Sequence, residues 1–381
     1  MRVAALGTED REFIRRAVLL ALDTRFWFLA IIAFVWLSSG GLGDFTDFAL
    51  RSVNYWDAQM YLRIAETGYL SGAHHLADIA MMPGFPAAVA LVRVIVGNAV
   101  VAGLAVSLAG SLAAAFFLQK LVSLDYGSAA AKFSAFFLFL FPTAYFLAIP
   151  YSEAMFIALA LASFYYARRE NWLASGVAGM FACATRAAGL ALIPALLIEA
   201  LAPDLRFDAK RFGAERLKKR MWLALLPVGF VVYLAVNWAI AGSPTAFVSV
   251  QAAQFFHHPV AMWDSLANAA REVLLHPLSL NLENENMARL SSFVFAAILL
   301  LASLKWLRPS YQVYAWLNVV ALFSLSWQIS MPRYLLSVFP LFIILGRMGA
   351  RHPLRAAVVL TLFLELQALL FWFSARGWWA F

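Results

Sequence analysis

The chain has 381 residues, of which 64% are hydrophobic and only 13% charged, with a mean hydropathy of +0.78. Those proportions exclude a soluble globular domain, and apolar runs long enough to cross about 30 Å of hydrocarbon predict an all-α polytopic membrane protein. The formal charge of +8 does not point to nucleic acid, because the Lys and Arg residues sit in short loops between apolar runs, where they set orientation.

Residues 1–25 carry Arg2, Arg11, Arg15, Arg16 and Arg25, which puts the N-terminus on the cytoplasmic side. The amphipathic piece 12–22 is expected to lie on the inner surface before 26–42 crosses outward as a retained signal anchor. Residues 43–82 form the first external loop, the densest in acids, with Asp44, Asp47, Asp57, Glu66 and Asp78 beside His74 and His75. The apolar run 83–97 is short and interrupted by Arg93. Counting it as a crossing would turn the later basic loops outward, so it reads as an interfacial or re-entrant helix. Within the central spans, 83–201, residues 98–118 then run inward, 133–149 outward and 152–167 inward to Arg168 and Arg169. Residues 172–201 are too long for one helix and have Arg186 near the middle. They read as a hairpin of two short helices with Thr185 and Arg186 at the outer end. The segment 202–220 holds Arg206, Lys210, Arg211, Arg216, Lys218, Lys219 and Arg220 and is the cytoplasmic anchor.

Residues 221–241 lead outward to a second external loop, 242–290. The C-terminal spans occupy 291–374, as 291–307, 311–330, 335–347 and 356–372. The total is about eleven crossings with an external C-terminus and an aromatic tail, Trp378, Trp379 and Phe381, suited to the interface. No repeat of fixed period occurs, so 1–381 reads as a single membrane domain. The single cysteine, Cys183, lies inside an apolar run and supports neither a disulfide framework nor a Cys-based metal site.

The stretch 54–69 looks built for chemistry. As a short helix ended by Gly68 it puts Asp57, Tyr61 and Ile64 on one side. Asp57, flanked by Trp56 and Tyr61, has three open roles: general base, ion ligand, or partner of an Asn54 N-cap. Charged groups at mid-bilayer cost about 2.5 to 3.5 kcal/mol each, so ionisable residues gathered at one face are informative. Asp57, Glu153, Arg186 and Arg333 all come out external under this topology. Glu153 equally suits a helix N-terminus. Arg333, just after the helix break at Pro332, suits either a snorkelling position or a lipid phosphate. His74, His75, His257, His258 and His276 lack the spacing of a zinc motif, and Glu283 and Glu285 read as a solvated loop. No Walker loop, dinucleotide fingerprint or Gly-x-Ser-x-Gly elbow is present.

Trp56-Asp57-Ala58, followed by Tyr61, Ile64-Ala65 and Gly68-Tyr69, resembles the first-loop signature of the PIG-V family of mannosyltransferases, with their bacterial members. Phe141-Pro142-Thr143, Tyr145-Phe146-Leu147 and Tyr151-Ser152-Glu153 are similar to a second block of that family. Ala167-Arg168-Arg169, Trp172-Leu173, Ala184-Thr185-Arg186 and Gly189-Leu190 resemble its hairpin, and Pro332-Arg333-Tyr334-Leu335 with Phe339-Pro340 its late block, in order over about 290 residues. Two departures stand out: Met82-Pro83-Gly84-Phe85-Pro86 replaces a Phe-Pro-x-Tyr-Pro type of run, and Arg186-Ala187 stands where Arg-Pro is common.

The resemblance implies a GT-C type glycosyltransferase in the bacterial plasma membrane. Such an enzyme takes mannose from a polyprenyl-phosphate donor to a lipid or glycan acceptor at the external face, with inversion. It implies Asp57 as base, Glu153 as a holder of hydroxyls, and Arg333 with Arg186 as partners of the lipid phosphate. Trp56, Tyr61 and Tyr334 become further substrate-binding positions. It implies no certain cofactor and leaves open a divalent ion near the acids. The competing expectation is a transporter or flippase for a lipid-linked saccharide, which calls for related halves and mid-membrane acids; the sequence displays neither.

Overall fold

In hydrocarbon every backbone N–H and C=O must be paired within its own segment, and the chain meets that demand with helices. The computed structural model describes residues 7–69, 75–201, 218–275, 285–326 and 330–380. Within them the extended pairing is an isolated bridge between Pro259 and Leu325. The basic run 202–217, His74, His276, Glu283 and Phe381 lie outside the described residues.

Helix α1 (Thr8–Ser38) runs unbroken for 31 residues. Residues 12–22 therefore do not lie apart on the membrane surface as expected. They continue the span, and Phe13, Ala17, Leu20 and Ala21 are buried. The arginine that suggested a surface helix is satisfied inside the bundle: Arg16 donates to Gln119 Oε1 at 2.7 Å, while Gln119 donates to the Phe13 carbonyl at 3.1 Å. The connection that follows α1 contains α2 (Phe45–Ser52), α3 (Asp57–Thr67) and α4 (His75–Asp78). Gly68 ends α3 at φ 74. Helix α5 (Gly84–Val96) packs on α3 and on α6 (Ala99–Leu140).

Helix α6 is broken at Gly127, where φ 81 and ψ 172 divide it into the arms 99–126 and 128–140. After the short 3₁₀ turn Ala144–Leu147 come α7 (Glu153–Arg168) and α8 (Trp172–Thr185). Arg186 is extended, and a 3₁₀ turn, Ala187–Ala191, leads into α9 (Leu192–Leu201). The hairpin over 172–201 thus forms, with Arg186 at its bend. Helix α10 (Leu226–Ala241) lies along α8 and is followed by α11 (Ala246–Phe255) and α12 (Met262–Leu275). Helices α13 (Glu285–Ser303), α14 (Pro309–Phe323), α15 (Met331–Tyr334), α16 (Pro340–Arg351) and α17 (Pro353–Ala375) complete the chain.

Among the described residues five helices are long and apolar enough to cross a membrane, or six if Met331–Ser337 and Pro340–Arg351, bent by 82°, form one span. About eleven were expected. The difference lies in short helices: α7 has 16 residues and α14 has 15, both well buried within the bundle, and Gly84–Val96, Trp172–Thr185 and Ala187–Leu201 are apolar and likewise short. One end of α7 holds Glu153. At the other, Arg168 bonds Asp125 at 2.8 Å and Glu199 at 3.3 Å, while Arg308 reaches Glu199 at 2.7 Å. Sixteen residues at 1.5 Å each separate these two charged layers by about 24 Å.

Candidate active site

The turn before α3 is strained. Trp56 takes φ 56 and ψ −125, a left-handed conformation that costs a residue with a Cβ about 1 to 2 kcal/mol. Trp56 is itself the N-cap, with no side-chain capping bond, so the Asn54 cap reading does not hold. The turn persists because its surroundings fix it. The Tyr151 hydroxyl donates to the Tyr55 carbonyl at 3.1 Å, Gln59 Nε2 donates to the Asn54 carbonyl at 3.0 Å, and Trp56 packs edge-on against Trp379 at 5.1 Å. The result sets Asp57 as the first residue of α3.

Four ionisable groups from sequence-distant segments meet there. Arg333 donates from Nη1 to Asp57 Oδ2 at 2.8 Å and from Nε to Glu153 Oε1 at 2.5 Å. Arg186 Nη1 lies 2.8 Å from Glu153 Oε1 and donates to Ser152 Oγ at 2.9 Å. Two carboxylates face two guanidiniums, so the cluster is neutral overall. That balance is required, since an unpaired buried charge is among the costliest defects a fold can carry. The Arg333 guanidinium also lies 4.6 Å from the Tyr151 ring centroid and 4.7 Å from that of Phe146. Tyr61 joins through its hydroxyl, 3.0 Å from Ser152 Oγ. Burial pushes the Tyr61 phenol up to about 12, so it acts as a neutral hydroxyl.

The cluster forms one end of a cavity of about 420 Å³, a size ordinary for a ligand site. Asp57, Tyr61, Arg186, Arg333 and Tyr334 line it. Glu153 does not; it is 0% exposed and sits behind the two arginines as their shared anchor. Trp56 does not either, being 48% exposed and turned toward Trp379. The remaining walls are largely apolar, with Met81, Met82, Phe230 and Phe247, and include Gln251 and His257. Gln251 escaped the sequence reading of the site and His257 was weighed there only against a zinc motif, because a Gln and a His in a polar loop break no hydrophobic pattern.

Helix α5 meets the residues just before Arg186 at Gly84. A Cβ on Gly84 would stand 2.5 Å from Thr185 Oγ1 and 2.9 Å from the Ala184 backbone. Helix α5 is thus pressed against the bend that carries Arg186, a closeness that only glycine permits.

One carboxylate oxygen of the cluster, Glu153 Oε2, is buried without a hydrogen-bond partner. Both carboxylates of the cluster are engaged by Arg333, and among the described residues no three His, Cys, Asp or Glu side chains converge. No step below passes through a metal.

A sequence model of the family described as mannosyltransferase (PIG-V) matches residues 37–236. No curated protein matches the chain. Among solved structures, the crystal structure of ArnT from Cupriavidus metallidurans bound to undecaprenyl phosphate is similar with a TM-score of 0.51 and 14% identity. The likeness covers 88% of this chain but 61% of that one, so this chain spans under two thirds of its relative. At that identity it establishes the fold, a GT-C-like bundle of helices.

Proposed function

The chain belongs to the PIG-V family of mannosyltransferases, and from that membership we propose that it moves mannose from a polyprenyl-phosphate donor to a hydroxyl of a lipid or glycan acceptor. The transfer takes place at the external face of the membrane, with inversion at the anomeric carbon. The observation that carries the proposal is Asp57: a carboxylate on the cavity wall, set by a strained turn and bonded by a guanidinium that is only 2% exposed.

The chemistry follows from those positions. Asp57 accepts the proton of the acceptor hydroxyl as its oxygen bonds the anomeric carbon. The bond from that carbon to the phosphate oxygen breaks, and polyprenyl phosphate leaves with the electron pair. Base and leaving group stand on opposite faces of the sugar in such a displacement. Arg333, bonded to Asp57, is on the side of the base and acts as its positioning residue. Arg186 bonds Glu153 and Ser152 through Nη1 and also lines the cavity, which suits it to meet the phosphate as negative charge grows there. Glu153 holds both arginines in place. The undecaprenyl phosphate bound to the ArnT structure supports a lipid phosphate as the donor class.

Transfer of radiolabelled mannose from polyprenyl-phosphate mannose, measured in membranes with a panel of acceptors, tests the reading. The wild type should transfer. Asp57→Asn should lose at least about 100-fold, the scale of a general base, and should also lower thermal stability, because it leaves two guanidiniums against one carboxylate in the buried cluster. Full activity in Asp57→Asn would remove it as the base, and no transfer by the wild type would reject the donor.

A further inference from the structure

Away from the ion cluster, the cavity lining contains two neutral polar side chains that come from one element: Gln251 on α11 and His257 just past its end. We propose that Gln251 and His257 recognise the hydroxyls of the transferred sugar. The proposal rests on the lipid-phosphate sugar donor argued above.

The pair is locked as a unit, with His257 Nδ1 at 2.8 Å from Gln251 Oε1. Burial holds the imidazole below its ordinary pKa, although the charge of Asp57 works in the opposite direction. His257 therefore stands neutral in the same chamber as the base. An imidazole and a primary amide together offer donors and acceptors, which is what adjacent sugar hydroxyls need. A phosphate, by contrast, is drawn to the guanidinium of Arg186. The same cavity is lined by apolar side chains such as Phe230 and Phe247, suited to the C–H face of a sugar ring.

The backbone aims this pair at a cost. Helix α11 ends in Phe256 at φ 55, a left-handed turn made without glycine, and its ring is 63% exposed, so burial of that ring does not account for the strain. The turn brings the His257 N–H to the Gln251 carbonyl at 3.0 Å. The segment 256–260 is then pinned to 324–326: Ser326 N–H donates to the His258 carbonyl at 2.8 Å, Val260 N–H to the Ser324 carbonyl at 3.0 Å, and Ser326 Oγ to the Phe256 carbonyl at 3.0 Å. Arg289, 4% exposed, grips that ladder by donating to the carbonyls of Leu325 and Ser326 and to the Ser265 hydroxyl. The wall is built before any substrate arrives, as selective recognition requires.

The test compares binding of undecaprenyl phosphate with binding of undecaprenyl-phosphate mannose to the full chain in lipid nanodiscs. The wild type should bind the mannosylated lipid more tightly. Gln251→Leu and His257→Phe should each cut that preference about tenfold, the scale of lost hydrogen bonds, and leave binding of the bare lipid phosphate unchanged. His257→Gln, which restores a donor and an acceptor, should recover most of it. An undiminished preference in both variants overturns the proposal, and so does equal weakening toward both lipids, which marks a purely structural role. A wild type that binds neither lipid rejects the donor reading itself, and that failure is visible before any substitution is made.

Discussion

Arg333 is the residue on which the geometry of the base depends. Its guanidinium spans two carboxylates that lie 276 and 180 residues away in sequence, at 2.8 and 2.5 Å. A lysine keeps the charge but presents one nitrogen, so it cannot hold both acids in the plane that the guanidinium fork defines. Arg333→Lys should therefore fold and still lose about 100-fold in kcat through misplacement of Asp57. Arg333→Ala should instead lose about 3 to 5 kcal/mol of stability, because it removes one of the two arginines paired with buried Glu153 and leaves the half-buried Asp57 without its cation. Single-turnover transfer and thermal unfolding in detergent separate the two; a lysine variant with wild-type kcat would remove the positioning role. The sequence pointed to Asp57, Glu153, Arg186 and Arg333 because charged residues gathered at one face of an apolar chain are conspicuous. It did not reveal that Glu153 is sealed behind the arginines, since a carboxylate that faces substrate and one that faces only guanidinium occur at identical positions in a hydropathy pattern.

At the scale of elements, the bend that carries Arg186 is held by close helix contact. A Cβ on Gly229 of α10 would collide with the Met180 carbonyl of α8 and stand 2.8 Å from Ala184 N, and one on Gly179 would stand 2.8 Å from Leu226 Cγ. Such approach is the usual means by which helices associate in membranes, where dispersion and small side chains replace the hydrophobic drive. Gly229→Ala should push α10 off α8, destabilising the protein by about 1 to 3 kcal/mol and lowering transfer, because Arg186 caps the same α8. Thermal unfolding with a transfer assay checks this, and an unchanged melting temperature would show that the contact yields without cost. The element order was legible in the sequence, as was the hairpin over 172–201, because apolar runs and their breaks are written in composition. The continuity of α1 was not legible. Its polar face looks solvent-bound until Gln119, about a hundred residues on, satisfies Arg16.

The whole molecule has two charged layers with opposite balances of role. The layer at Glu153 borders a cavity, whereas the layer at Arg168, Asp125, Glu199 and Arg308 ties neighbouring helices together through ion pairs. The layer at Arg168 adjoins the exposed, basic turn at Arg169, and positive charge of this kind stays in the cytoplasm. The external site proposed above requires that orientation, with the cavity outside where a flipped lipid donor would be met. Cysteine labelling decides it. The native Cys183 is buried and gives little background, while Gln59 and Glu170 are exposed near the two layers. Gln59→Cys should react with a membrane-impermeant maleimide in intact cells, and Glu170→Cys only after permeabilisation. The reverse pattern would place transfer on the cytoplasmic side and require a donor presented there. Reaction of both positions in intact cells would mean that the 24 Å or so between the layers, estimated from the rise of α7, does not cross the bilayer, and the proposal of an external site would fall with it.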